Sequence, residues 1–183
     1  FSTMKSIITI TAFLLFALGS FAQQQFAGAK DYYRFEAREA ARIGDAINKF
    51  HWDTLQGKIP VLYSKNYEVR AKAIQAMVEE CAAFYQPKFP DIKFDLYIMV
   101  LNQKDWNKIH LTTLSNYGMP NYLPEIRKLF AAADKKAVAK IFGGTDNTSD
   151  THLSQFDCIA LHELGHAFLQ TFNKLYTGKL WTD

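Results

Sequence analysis

Histidines at positions 162 and 166, with a glutamate at 163, are the residues of this chain whose types and spacing could do chemistry. On an α-helix His162 and His166 stand one turn apart on the same face, with Cβ atoms about 5–6 Å apart, so both imidazoles can converge on one ion. Two such nitrogens are half of a tetrahedral zinc site. Glu163, one position on, is swung roughly 100° around the helix, away from ligation but within reach of a water on the ion. Its natural role is general base.

The neighbours favour a metal. From Ile159 to Phe168 every residue apart from the triplet and Gly165 is apolar, which predicts a helix buried nearly all round. Burying two imidazoles and a carboxylate without partners is costly, and a metal removes most of that cost. Two core histidines with satisfied hydrogen bonds are the structural alternative. Gly165, a poor helix former, is tolerable where another backbone passes close by.

The decamer from Ile159 to Phe168 resembles the active-site helix of the zincin metallopeptidases, whose signature is H-E-x-x-H bracketed by uncharged and apolar residues. The resemblance implies an α+β fold, the N-terminal part of a zincin-like peptidase domain, in which a small mixed sheet packs on helices around a buried H-E-x-x-H helix. It implies Zn2+ as cofactor, His162 and His166 as ligands, Glu163 as general base toward a zinc-bound water, and a peptide or protein substrate. The metzincin branch is excluded, because Leu169 and Phe172 stand where its glycine and third histidine would be. In the gluzincin branch a glutamate follows the second histidine by roughly twenty residues, which counts to just past Asp183. The domain is therefore expected to be incomplete at its C-terminal end, with Asp183 as a weaker, aspzincin-type candidate, and this fragment to bind zinc weakly and be inactive. The alternative from another class is an exported, non-catalytic binding module or degenerate peptidase with structural histidines.

The ends of the chain bear on where such a protein works. Met4-Lys5, the apolar run 7–18 and the small residues around Phe21 in Ser20-Phe21-Ala22 predict a signal peptide over 1–22 and a domain over 23–183. That places the protein outside the cytoplasm, secreted or periplasmic, with an uncleaved anchor as the alternative and no stable span once the signal is removed. Phe1-Ser2-Thr3 before Met4 suggests a sequence cut from a longer frame. The composition, 49% hydrophobic and 21% charged over 183 residues, suits one globular domain. A net charge of +3 without a basic cluster argues against nucleic acid as a partner. Cys81 and Cys158 could form one disulfide or remain two buried thiols, and Cys158, one turn before His162, is a conceivable further ligand.

The rest of the chain must position the triplet. Apolar residues at helical spacing predict an amphipathic helix over 30–50 and a second over 67–86, capped by Ser64 or Asn66, with Ile74, Met77, Cys81 and Phe84 on its buried face. Residues 59–63 read as a short strand. Residues 93–101 read as a central strand, apolar on both faces, followed by a short helix over 105–109 and a loop. Residues 117–122 could be an exposed edge strand able to pair with a substrate backbone, or a structural turn. They faintly resemble the G-x-M-E-N segment of the gluzincin aminopeptidases, but Pro120 replaces the glutamate, so aminopeptidase activity is not inferred. Residues 129–133 are ambiguous between helix and strand; a strand there would rival the edge. Asp134 should cap a helix over 135–142, and a polar loop over 145–153 follows. Ser154 and Asp157 suggest a capping box that starts the histidine helix, expected over 155–176. His51, His110 and His152 read as solvated loop histidines.

Overall fold

The computed structural model describes residues 29–146, 148–149, 152–153 and 156–172. The predicted signal peptide, Ser154, the expected end of the histidine helix and Asp183 lie outside them. The chain divides between Glu39 and Ala40 into two units. Of the first, the described part is the opening of helix α1 (Ala29–Asn48). In the second, the remainder of α1 buries Ala40, Ile43, Ala46 and Ile47, the three-and-four spacing of one helical stripe.

A five-stranded mixed sheet forms the centre of the second unit, and five α-helices are described in the whole chain, so the class is α+β. The strands are β1 (Asp53–Leu55), β2 (Val61–Tyr63), β3 (Tyr97–Leu101), β4 (Asn121–Leu123) and β5 (Lys128–Ala132), in the order β1-β2-β3-β5-β4. β3 is parallel to both β2 and β5, while β1 and β4 are antiparallel edges. Tyr97-Ile98-Met99-Val100-Leu101 takes the centre because apolar residues cover both of its faces. Two parallel neighbours need a crossover between them. Between β2 and β3 that crossover is α2 (Glu68–Tyr85).

Alternation along the strands divides the core in two. Ile98, Val100, Leu129 and Ala131 face Ala71, Ile74, Val78 and Ala82 of α2 and Ala160, Leu164 and Ala167 of the histidine helix. Met99, Leu101, Phe130 and Ala132 face α1 from Ala40 onward, α3 (Gln103–Lys108) with Trp106, and α4 (Lys135–Ile141) with Val138. α3 starts where the Asn102 side chain accepts from the Asp105 amide at 2.9 Å, and α4 where Asp134 accepts from Ala137 at 3.0 Å.

Several expectations are corrected. The buried face of α2 is turned from the one predicted: Arg70, Ala71, Ile74, Val78 and Ala82 are buried, while Met77 and Cys81 are half-buried and Phe84 is 61% exposed. The stripe runs through Ala71, Ile74, Val78 and Ala82 at three-and-four spacing, and Phe84 falls outside it. Neither Ser64 nor Asn66 caps α2, whose N-cap, Tyr67, makes no side-chain bond. Ser64 instead joins the end of β2 to α3, donating to Asp105 Oδ2 at 2.6 Å and accepting from the Asn102 amide at 3.0 Å. Residues 129–133 resolve as strand β5, which is interior, so β4 is the edge. β1 was not expected at all. Cys81 and Cys158 are free thiols, and Cys158 is exposed rather than buried.

Candidate metal centre

The histidine helix α5 (Cys158–Phe172) lies on β4, β5 and α2. Only Ala160, Leu164 and Ala167 are buried, a single stripe at i, i+4 and i+7. This corrects the prediction of a helix buried all round: among the described residues α5 packs on one face of a sheet, and Leu169 on its other side is 53% exposed. No described atom lies within 4 Å of a Cβ built at Gly165. The close backbone approach expected there is therefore not seen.

The open side carries the triplet. His162 Nε2 and His166 Nε2 stand 3.0 Å apart, with their rings perpendicular and their centroids 4.7 Å apart. One ligand atom from each of His162, Glu163 and His166 falls within 4.8 Å of the others. Zinc–nitrogen bonds of about 2.0–2.1 Å in tetrahedral geometry set the two nitrogens about 3.3 Å apart, so the pair needs to open by only a few tenths of an ångström to hold an ion. Burial and the neighbouring His162 both lower the His166 pKa, favouring the neutral form that ligates.

Glu163 is half-buried and turned toward the sheet. Its Oε2 accepts from the backbone amide of Tyr122 at 2.8 Å, and Tyr122 sits opposite Leu129 in the middle of edge strand β4. Burial raises the carboxyl pKa to about 7 against the Tyr122 amide, which favours the charged form. The Tyr122 phenol reaches Gln170 Oε1 at 3.2 Å, two turns along α5. Tyr122 thus ties strand to helix twice.

The segment before α5 is fixed by two buried cations. Arg70 of α2, 2% exposed, pairs with Asp157, 5% exposed, immediately before the first helical residue. Lys135, the first residue of α4, is 3% exposed and donates into the loop that precedes Asp157.

Sequence reasoning brought His162, Glu163 and His166 together, and the structure does the same. Cys158 does not join the cluster. His152 is exposed, with Nδ1 2.7 Å from Ser149 Oγ; His51 is exposed, and His110 holds a left-handed turn position at φ 62°. Of residues 117–122 only Asn121 and Tyr122 are in the edge strand. Tyr117 is buried, and its phenol accepts from the Asp134 amide at 3.2 Å. The roles of Tyr122, Arg70 and Lys135 went unread. Arg70 had a signal in the sequence, since it adjoins the stripe of Ala71, Ile74 and Val78. Compared with family models, with curated proteins and with solved structures, the chain finds no match.

Proposed function

We propose that α5 carries the site of a zinc-dependent peptidase of the zincin type, gluzincin-like, acting on peptides or proteins outside the cytoplasm. The observation that carries this reading is the convergence of two imidazole nitrogens 3.0 Å apart beside a glutamate held on the Tyr122 amide at 2.8 Å. The fold setting supports it: the two histidines stand on the open side of α5 beside edge strand β4, whose Tyr122 amide holds Glu163. The export signal read in residues 4–22 supports the location.

His162 and His166 would hold the ion, with the third protein ligand to come from outside the described cluster. Zinc held there supplies Lewis acidity, acidifying water and polarising a carbonyl. Glu163 does the proton work. With Oε2 held by the Tyr122 amide, Oε1 can take the proton of the attacking water and pass it to the leaving amine. Burial favours the protonated carboxyl and a bound dication would favour the carboxylate, so Glu163 can both take and return the proton. Tyr122 keeps that carboxylate oriented.

A second reading, a non-catalytic module with a structural histidine pair, has one observation in its favour. With one ring nitrogen protonated, His162 and His166 can hydrogen-bond to each other without an ion. Zinc content and casein hydrolysis, measured on the full-length protein and its Glu163→Gln variant, separate the two. The peptidase reading expects about one zinc per chain in both proteins and a loss of hydrolysis of about 100-fold or more in the variant. Stoichiometric zinc with no hydrolysis by the parent would favour the binding module, and absence of zinc would overturn the metal.

A further inference from the structure

Lysine is almost never fully buried unless its ammonium is paired. The side chain of Lys135 is 1% exposed, and among the described residues its polar partners all lie between Asp146 and His152. Nζ donates to Thr148 Oγ1 at 2.6 Å, to the Ser149 carbonyl at 2.6 Å and to the His152 carbonyl at 2.8 Å, with Asp146 Oδ1 at 3.7 Å. Three donors meet three acceptors, which fills the ammonium's capacity. Two carbonyls, a hydroxyl and a carboxylate are also the all-oxygen set that hard metal cations take. Thr148 closes the ring by donating its hydroxyl to Asp146 Oδ1 at 2.6 Å. Among the described residues of the segment, Leu153 is 45% exposed, and the apolar anchorage comes from Phe156, stacked on Phe142 at 4.6 Å.

The other end of the same segment is held by charge as well. Asp157 meets Arg70 Nη2, while Nε and Nη1 have no hydrogen-bond partner among the described residues. α5 itself grips the sheet through two alanines and one leucine. Tyr122 and the packing of Phe168 on Tyr85, Phe89 and Phe94 hold the body of the helix, and the segment before it holds its N-terminal end, from which His162 and Glu163 project.

We propose that the Lys135 ammonium is a built-in structural cation for the loop 146–152, and that Lys135 and Arg70 are positioning residues for His162, Glu163 and His166. The effect on zinc rests on the peptidase reading; the oxygen cage around Lys135 does not. In the full chain, Lys135→Ala should speed hydrogen exchange of the amides in 145–157 by about tenfold or more. It should also weaken zinc binding, measured by competition with a chelator, by about 10–100-fold, the effect of losing an outer-shell support. Ammonium or potassium ions should then restore protection, while tetramethylammonium at the same ionic strength should not. A residue that merely fills space leaves a hole without that preference, so equal rescue by all three ions, or no rescue, overturns the cation role. Unchanged exchange overturns the proposal outright, and unchanged zinc affinity overturns positioning. If the parent chain binds no zinc, the metal reading fails and positioning fails with it, while exchange and rescue still decide the cage. Should Lys135→Ala not fold, Thr148→Val removes one acceptor and the hydroxyl bond to Asp146, leaving the amide bond at 3.0 Å. Exchange in 145–157 should still rise, and no change there overturns the cage.

Discussion

The two faces of the sheet are built from different materials. On one, Trp106 is fully buried between Tyr117 and Phe130, at ring distances of 5.4 and 6.3 Å, with Met99, Leu101 and Leu111 around it. On the other, the helices α2 and α5 set Ala71, Ala82, Ala160 and Ala167 among Ile74, Val78 and Leu164, with the aromatic rings around Phe168 only partly buried and a buried ion pair beside them. Large aromatic side chains remove much apolar surface from water and hold their neighbours by volume. Alanines do little of that, but they let a helix come close to the strands. The first face therefore supplies stability, and the second supplies position. The triplet rides on the second, where Glu163 meets an edge-strand amide at 2.8 Å and a small shift of the helix would break the contact.

If this contrast holds, the largest loss comes from the aromatic face. Trp106→Ala removes a fully buried ring and leaves the Ser115 carbonyl without the indole donor now at 3.1 Å. We expect about 5 kcal/mol of destabilisation in urea unfolding, the upper end for such truncations. A loss below about 1 kcal/mol would show that this face is not the store of stability. Asp157→Ala on the other face should cost about 3 kcal/mol, because Arg70 is left charged, buried and alone. Replacing both partners with apolar residues, Arg70→Met with Asp157→Leu, should recover most of that stability yet not the zinc affinity. If the double variant regained both, the pair would be dispensable for position. Ala160→Leu tests the close approach directly. Overpacking at a residue with 0% exposure should cost about 1–3 kcal/mol and displace α5, visible as loss of exchange protection at the Tyr122 amide. A stable protein with that amide still protected would mean that the alanine stripe is not tight.

Much of this was legible because the residues concerned act locally. Asp134 announces the start of α4 in its own sequence, the run 97–101 announces a central strand, and His162 with His166 define a face wherever the helix goes. What could not be read depends on which helix face meets the sheet. The stripe of α2 has two near-equal solutions on the helical wheel, and the one taken turns Ala71, Ile74, Val78 and Ala82 inward, with Met77 at its border and Phe84 outside. β1, with three residues in a polar stretch, exists only because β2 offers it a partner. The pairings of Arg70 with Asp157, 87 positions apart, and of Tyr122 with Glu163, 41 apart, are consequences of the fold and have no local signature.

The smallest expected effect concerns Asp146, at the rim of the Lys135 cage. The Thr148 hydroxyl and amide hold its carboxyl below the usual carboxylate range, with Lys135 adding to the same direction. A folded pKa lower than the unfolded one stabilises the protein above the unfolded value and ceases to do so as the pH falls through the folded one. Asp146→Asn should therefore lower the melting temperature slightly at neutral pH, and the deficit should begin to shrink below about pH 4, where the unfolded carboxyl titrates, and vanish once the pH has passed below the folded value. Because the group lies near solvent, the deficit should be well below that of Asp157→Ala. A deficit that persists unchanged into acid would mean that Asp146 contributes by shape and not by charge, and the oxygen cage would then hold its lysine without the carboxylate.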